Sequence, residues 1–190
     1  MDTEKTGIHS GLVGWWKFDE TTGLVAKDSS GYERDGELTF FDSSSVHWIA
    51  GPVGNALSFD GVDDFIKISG YKGIFGSKPR SIACWIKTAH LEPSILTWGS
   101  EETSGKWFFG LQNELLGNKS IAVGIGGSQV LSDQVVDSGW NHLVMVLPDG
   151  QNSVRNLLFY VNANPIGLNY INATVSYTHL TLPTSYPVEI

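Results

Sequence analysis

The stretch "NALSFDGVDDFIKI", from Asn55 to Ile68, carries the pattern that decides the fold class. Apolar and polar residues alternate on either side of Asp60-Gly61, and a period of two residues is typical of strands that bury one face. An Asp-Gly pair accepts the positive φ angles of a tight turn. The stretch therefore predicts two β-strands joined by a hairpin turn.

Similar short runs continue from this stretch in both directions. "RSIACWIKT" (80–88) alternates, with Ile82, Cys84 and Ile86 on one face, because successive side chains of a strand point to opposite faces. "GLVGWWKFDE" (11–20) reads as a first strand. Further runs follow up to Gly167, separated by turns at a spacing of about 8–12 residues. This organisation predicts an all-β domain, either a sandwich or a barrel.

Composition narrows the class of protein. The 190 residues are 41% hydrophobic and 17% charged, which indicates a globular domain with a sizeable core. The net charge is −8 and the cations are not clustered, so we expect no nucleic-acid partner. Cys84 is the single cysteine, which excludes an internal disulfide and a zinc-thiolate cluster.

No apolar run has the length of a membrane span, so we expect no membrane insertion. Residues 1–10 carry no signal-peptide pattern, so we expect a disordered or linker N-terminus.

Six motifs in fixed order carry a family resemblance. They are "GLVGWWKFDETTG", "KDSSGYERDGEL", "GPVGNALSFDGVDDFIKI", "SIACWIKT", "DSGWNHLVMVLPDG" and "LFYVNANPI". In this order and spacing the chain resembles the LamG-like jelly-roll domain of the concanavalin A-like lectin/glucanase superfamily. The resemblance covers residues 11–167 and implies a jelly-roll sandwich of two antiparallel sheets, so we place an incomplete domain of this kind at residues 11–174. It also implies a non-catalytic module of a secreted or surface protein that binds glycans or proteins, often with Ca²⁺.

The resemblance stops after Gly167, where the family places a last strand with a "G-x-I-D-E-V-R-I-Y" type motif. The chain instead continues to "VSYTHLTLPT" (175–184). Read back through the genetic code, these residues resemble the adapter of transposase-based sequencing libraries. We therefore expect residues 175–190 to be a non-native tail and the domain to lack its last strand or strands. Without that strand, "GLVGWWKF" would present an unpaired edge.

Flat aromatic rings bind the apolar faces of sugars, which makes exposed tryptophans the candidate glycan ligands. Three lie near predicted turns, where we expect them to reach the surface: Trp48, Trp98 and Trp107. The others that lie in strand motifs are expected to pack in the core or against a sheet: Trp85, Trp140 and one of the adjacent Trp15 and Trp16.

Acidic turns are the candidate metal ligands, because hard cations prefer several carboxylate and carbonyl oxygens. Asp60, Asp63 and Asp64 fall within one short stretch around a glycine, and Asp28 and Asp35 mark the opening loop. The resemblance implies a structural Ca²⁺ at such loops. The alternative is turn chemistry alone, in which Asp side chains accept hydrogen bonds from nearby backbone N–H groups.

Two local patterns of catalytic residues are missing from the sequence, although composition alone leaves a Ser/His/Asp arrangement open. Related glucanases hold their two carboxylates in an E-x-D-x-x-E run, and neither this run nor a G-x-S-x-G elbow occurs here. His142 lies within a predicted strand and is expected to be packed. We therefore predict a non-catalytic module that recognises a glycan or an extracellular protein at the cell exterior, assisted by Ca²⁺. The alternatives are a structural or adhesion module of a larger surface protein and an accessory domain of a secreted glycoside hydrolase.

Overall fold

In the computed structural model of the chain, the regular secondary structure of the described residues is almost entirely antiparallel β-strand. The structure describes residues 10–42, 47–74, 78–90, 93–99, 106–113, 119–125, 128–151 and 153–171. These residues group into two compact units, of which the first ends at Tyr71 and the second begins at Lys72. Across the described ranges, no helix has the length and apolar character needed to cross a bilayer.

The first unit contains five short strands in two sheets. The strands are β1 (Val25–Ala26), β2 (Gly36–Thr39), β3 (Trp48–Ala50), β4 (Asn55–Leu57) and β5 (Phe65–Ile68). One sheet has the order β1-β2-β5, and β3 pairs with β4 in the other. Leu38, Ile66 and Ile68 are buried, whereas the residues next to them in the same strands are more exposed. This arrangement explains why β2 and β5 alternate in polarity. Gly36 packs against Ile66. A larger residue at position 36 would clash, because its Cβ atom would come within 2.3 Å of the Ile66 side chain.

The two strands predicted around Asp60-Gly61 both exist, but they do not form a hairpin with each other. β4 pairs with β3 through Ile49 and Ala56, whereas β5 pairs with β2 through Leu38 and Ile66. Residues 58–64 separate β4 from β5, a loop longer than the two-residue turns that join paired strands. The hairpin prediction is therefore wrong, although Gly61 does adopt a positive φ of 77°.

The predicted first strand is reduced to a single bridge. Within residues 11–20 only Trp16 makes a β-bridge, to Asp28, and Ser29 N–H donates to the Trp15 carbonyl at 2.7 Å. Phe18 has a φ of +58°, which interrupts an extended backbone. The prediction of a full strand here is wrong, because an alternating sequence does not by itself supply a partner strand.

The second unit contains nine strands in two sheets. They are β6 (Arg80–Ile86), β7 (Ser94–Trp98), β8 (Trp107–Asn113), β9 (Lys119–Ile125), β10 (Ser128–Val135), β11 (Asn141–Leu147), β12 (Leu158–Val161), β13 (Asn164–Ile166) and β14 (Leu168–Ile171), with a 3₁₀ turn at Val154–Asn156. The five-stranded sheet has the order β14-β10-β9-β8-β7, and the four-stranded sheet has the order β13-β12-β11-β6.

Each sheet of the second unit buries one face. In β8, Trp107, Phe109 and Leu111 are at most 1% exposed, and in β11, Leu143 and Met145 are fully buried. The intervening residues of both strands are mostly less buried, which is the period-two pattern of a sandwich. The prediction of an all-β antiparallel sandwich is confirmed.

The ends of the predicted domain are only partly described. β14, which the sequence analysis does not identify, pairs with β10 through Val130 and Tyr170. Residues 1–9 and 175–190 lie outside the described residues, so the linker, the non-native tail and the missing strand stay predictions.

Candidate functional site

The loop from Ser58 to Asp64, between β4 and β5, is closed by its own carboxylates. Asp60 Oδ1 accepts a hydrogen bond from Val62 N–H at 2.8 Å and a longer one from Asp63 N–H at 3.4 Å. Asp64 Oδ2 accepts from Asp60 N–H at 2.9 Å. The backbone of the loop is therefore fixed from within, and its carboxylates are held close together.

Three carboxylates meet in this loop, which we call the acidic loop. One oxygen from each of Asp60, Asp63 and Asp64 lies within 4.8 Å of the others. Asp60 and Asp63 are exposed, and Asp64 is half-buried. The hydrogen bond from Val62 N–H is the main cause that holds the pKa of Asp60 below its usual value, so this carboxylate is ionised at neutral pH. The loop offers an anionic oxygen cluster of the kind that hard cations use, and its role as a metal site stays a prediction.

The two other predicted metal ligands lie outside this cluster and serve the opening loop. Asp28 Oδ1 accepts from Trp15 N–H at 3.0 Å and from Ser30 N–H at 2.8 Å. Its Oδ2 accepts from the Ser30 hydroxyl at 2.6 Å and from Arg34 N–H at 3.1 Å. Partial burial by itself raises the pKa of Asp28, but the bonds from Ser30, Trp15 and Arg34 together outweigh it and lower the pKa. Asp28 thus acts as the centre of a turn.

Asp35 is engaged in the same loop. Its Oδ1 accepts from Asp28 N–H at 2.9 Å, and its Oδ2 pairs with Lys27 Nζ at 2.6 Å. The hydrogen bond from Lys27 is the main cause that lowers the pKa of Asp35. Donors of the loop bond to both oxygens of Asp28 and of Asp35, as the turn-chemistry alternative predicts. A metal role for these two residues stays a prediction.

Aromatic rings flank the acidic loop on both sides. Phe59 lies at its start and packs edge-on against Phe41, with ring centroids 5.4 Å apart. Phe65 follows it and packs edge-on against Phe40 at 5.6 Å. Phe40 is 68% exposed and has a φ of +68°, which is a genuine outlier for a bulky side chain. The exposed Phe40 ring therefore rests on Phe65, the residue that directly follows the carboxylate cluster in sequence.

The three tryptophans predicted to reach the surface are instead buried: Trp48 and Trp98 are 8% exposed, and Trp107 is 1% exposed. The rings of Trp98 and Trp107 stack at 5.2 Å, and the Arg80 guanidinium lies 4.8 Å from the Trp107 ring centre. Trp48 Nε1–H donates to the Gly23 carbonyl at 3.0 Å. The expectation of exposure is wrong because strand pairing places these rings on inward faces, and as candidate sugar ligands they have no exposed face.

Trp85 is 46% exposed, so of the two predicted placements, in the core or against a sheet, it does not occupy the core. Its ring lies 5.1 Å from that of His142, the cross-strand neighbour on β11. The sequence carries the signal for this position. Ile82, Cys84 and Ile86 face inward, so Trp85 must face outward.

Trp140 is half-buried. Of the adjacent pair, Trp15 is 40% exposed, while Trp16 is half-buried and donates from Nε1 to the Arg34 carbonyl at 2.8 Å. The two neighbours therefore differ in burial, as expected for opposite faces of an extended segment.

Comparison with known proteins identifies the fold. No protein-family model and no curated protein matches this sequence. Among solved structures, the chain is similar to domain 4 of AbnA, a GH43 extracellular arabinanase from Geobacillus stearothermophilus, in complex with arabinotriose (TM-score 0.58, 17% identity, 94% of this chain and 89% of that chain). It is more distantly similar to an S-layer domain-containing protein from Clostridium thermocellum (TM-score 0.40, 20% identity, 82% of this chain and 71% of that chain). Because the sequences are only 17% identical, the similarity to domain 4 of AbnA establishes a shared fold alone.

Proposed function

We propose that this chain is a non-catalytic module that binds a glycan at the cell exterior. In this proposal Asp60, Asp63 and Asp64 hold a Ca²⁺ ion, and the Phe40 ring provides an apolar surface for a sugar beside it. The observation that carries the proposal is a carboxylate cluster followed directly in sequence by Phe65, on which the exposed Phe40 ring rests.

The charge of the acidic loop supports a cation. Two unit charges within 4.8 Å of each other repel by about 1 kcal/mol or more in water, and by more where water is partly displaced. A divalent cation would reverse this repulsion for all three carboxylates. Three carboxylates, completed by backbone carbonyls and water, would supply the six to eight oxygens that Ca²⁺ takes. Because the cluster is exposed, we expect a weak site, with a dissociation constant of about 10⁻⁴–10⁻³ M.

The conformation of Phe40 supports a role in binding. A residue in a sparsely populated backbone region costs of order 1–3 kcal/mol. Here that conformation leaves the ring 68% exposed although it contacts Phe65, so it brings little gain in core burial. Ligand sites combine such apolar surfaces with a few polar groups that fix orientation.

The fold supports an extracellular module. The similar domain 4 is part of an extracellular arabinanase, and its structure contains arabinotriose. This similarity also favours an accessory domain of a secreted glycoside hydrolase as the parent context. Fold alone does not determine function, so the site must be tested directly.

A glycan array probed in Ca²⁺ and in EDTA tests the proposal, with arabino-oligosaccharides included. We expect binding in Ca²⁺ that falls at least about tenfold in EDTA and in Phe40→Ala. Val53→Ala, which changes another exposed apolar residue of the first unit (74% exposed), is the control and should bind like the wild type.

The cation is tested separately by calorimetric titration with CaCl₂. Asp63→Asn should weaken Ca²⁺ binding, whereas Asp149→Asn, an exposed turn residue of the second unit, should not. Absence of glycan binding under both array conditions would refute the glycan part. Binding that is equal with and without EDTA would refute the role of Ca²⁺.

A further inference from the structure

The turn that follows β11 brings a carboxylate onto the peptide nitrogen next to it. Four residues, from Pro148 to Gln151, form this turn, and Gln151 N–H donates to the Pro148 carbonyl at 3.3 Å. Gly150 has a φ of 72°, as the third position of a type II turn requires. Asp149 Oδ1 accepts a hydrogen bond at 3.0 Å from the N–H of Gly150, so the side chain lies against the peptide bond that joins these two residues.

This contact is the starting geometry for ring closure between a side chain and its own backbone. Groups held about 3–3.5 Å apart react far faster than free ones, because the ordering entropy is already lost. Gly150 has no Cβ to shield its nitrogen. Both residues are exposed, so water has access. Among the described residues, no atom beyond the adjoining ones lies within 4 Å of the place that a Gly150 Cβ would take, so the turn also has space for the ring.

We propose that Asp149 is a modification site, at which the folded chain converts this aspartate into isoaspartate. The Gly150 nitrogen attacks Cγ of the neutral carboxyl. The N–Cγ bond forms, the Cγ–OH bond breaks, and the hydroxyl leaves with the amide proton as water. The product is a five-membered succinimide ring.

Water is the only co-reactant, and it completes the conversion by opening this ring. Opening at Cγ restores aspartate. Opening at the backbone carbonyl carbon of Asp149 breaks the original peptide bond and leaves a free α-carboxylate, so that the chain now runs through Cγ. This product is isoaspartate, and its mass equals that of aspartate because one water is lost and one is gained.

The pair Asp35-Gly36 has the same sequence but is held in a different geometry. Asp35 Oδ1 accepts from Asp28 N–H at 2.9 Å, and Oδ2 accepts from Lys27 Nζ at 2.6 Å. Both oxygens are thus bonded to residues that precede Asp35. Gly36 is buried in β2, which pairs with β1 on one side and β5 on the other. The backbone rotation that ring closure requires would break this pairing.

The third Asp-Gly pair, Asp60-Gly61, is exposed like the one at Asp149, but its carboxylate is bonded beyond the glycine. Asp60 Oδ1 accepts from Val62 N–H at 2.8 Å and from Asp63 N–H at 3.4 Å. Ring closure would break these bonds. Sequence and exposure do not separate Asp60 from Asp149, whereas the direction of the side chain does.

The turn can hold the product without loss of the sheet. Isoaspartate adds one methylene to the backbone before Gly150. The turn begins at Pro148, directly after the end of β11 at Leu147, and the pairing of β11 with β6 and β12 lies before it. We therefore expect isoaspartate to accumulate in a folded chain. This inference does not depend on the proposed function.

Ageing of the full, folded chain followed by peptide mapping tests the proposal. The chain is incubated at about pH 5, where more of an aspartate carboxyl is neutral than at neutral pH, and without added Ca²⁺, so that no cation shields Asp60. Electron-transfer fragmentation then distinguishes isoaspartyl from aspartyl peptides of equal mass. We expect at least about tenfold more isoaspartate at Asp149 than at Asp35 or Asp60. In guanidinium chloride this difference should largely disappear, because the folded geometry is lost.

Two matched substitutions test the geometry of the turn. Asparagine tolerates a positive φ, so Gly150→Asn keeps the turn and places a Cβ beside the attacking nitrogen. It should lower isoaspartate at Asp149 several-fold. Gly61→Asn makes the same change at the other exposed pair and should leave Asp149 unaffected. Asp149→Glu should abolish the modification at this position, because its longer side chain cannot form the five-membered ring.

Three results would overturn the proposal. One is the absence of isoaspartate at Asp149 in the aged, folded chain. Another is an equal yield at Asp35, Asp60 and Asp149. The last is a preference for Asp149 that persists unchanged in denaturant, because the local sequence and not the folded turn would then direct the reaction.

Discussion

Asp28 is the residue whose removal tests the account of the first unit most sharply. Its carboxylate accepts hydrogen bonds from the N–H groups of Trp15, Ser30 and Arg34 and from the Ser30 hydroxyl. It thereby ties residues 11–20, which form no regular strand, to the turn that leads into β2. We predict that Asp28→Ala destabilises the chain strongly although Asp28 is not a core residue.

The magnitude follows from the donors left behind. An unsatisfied buried donor costs about 1–3 kcal/mol. The bonds to the Ser30 and Arg34 N–H groups are partly buried, while the one to Trp15 N–H is exposed and can be replaced by water. We therefore expect a loss of about 2–3 kcal/mol in the free energy of unfolding, a large share of the roughly 5–15 kcal/mol of a typical domain. Asp28→Asn, which keeps one acceptor oxygen, should lose about half as much.

Urea denaturation followed by tryptophan fluorescence measures this loss. Asp149→Ala is the matched control, because that carboxylate accepts from the adjacent Gly150 N–H on the surface, and its loss should stay within about 0.5 kcal/mol. If Asp28→Ala and Asp149→Ala cost the same, the role given to Asp28 is incorrect.

The pH dependence provides a second readout of the same residue. The folded-state pKa of Asp28 is lowered, so its contribution to stability is fully present above the unfolded pKa of about 3.9 and is lost as pH falls through the folded value. The difference in unfolding free energy between wild type and Asp28→Asn should therefore be constant near neutral pH and shrink below about pH 4. Carboxylates that do not interact with Asp28 cancel in this difference, whereas Asp35, whose pKa the Asp28 charge raises, contributes a change of its own.

Three further predictions concern the second unit. Ala163 has a φ of +67° in the turn between β12 and β13, so Ala163→Gly should raise the free energy of unfolding by about 0.5–1 kcal/mol in urea denaturation; a decrease would contradict the turn geometry. Trp107→Ala should cost about 3–5 kcal/mol in the same assay, whereas Trp85→Ala, at a ring that is 46% exposed, should cost much less; equal losses would reverse the assignment of core and surface. Burial raises the pKa of the Cys84 thiol to about 12, so this half-buried residue should react slowly with a thiol-specific reagent at pH 8 and much faster once denaturant is added. Equal rates in the native and the denatured chain would contradict the raised pKa.

The sequence is most informative where a strand buries one face. Ile82, Cys84 and Ile86 in β6, and Trp107 and Phe109 in β8, recur every second residue because burial imposes that period. Pairing partners are not encoded in the same local way. The hairpin predicted around Asp60-Gly61 failed for this reason, as did the strand predicted over residues 11–20.

The candidate site was likewise predictable only in part: residues close in sequence could be grouped, whereas residues placed by backbone conformation or strand pairing could not. Asp60, Asp63 and Asp64 are close in space largely because they are close in sequence, so the sequence suffices to group them. Phe40 could not be predicted, because its positive φ is not signalled by a glycine or asparagine at that position. Trp98 was misplaced by its position near a turn, although strand pairing directly opposite Trp107 buries both rings.

Residue-resolved chemical-shift mapping tests the central claim most directly. The ¹⁵N-labelled chain is titrated in Ca²⁺ with the strongest binder from the glycan array. The account predicts that the largest changes fall at Phe40, Val62 and Asp63 and disappear in EDTA. A glycan that leaves these residues unshifted, or that shifts only residues around Trp85, would contradict it.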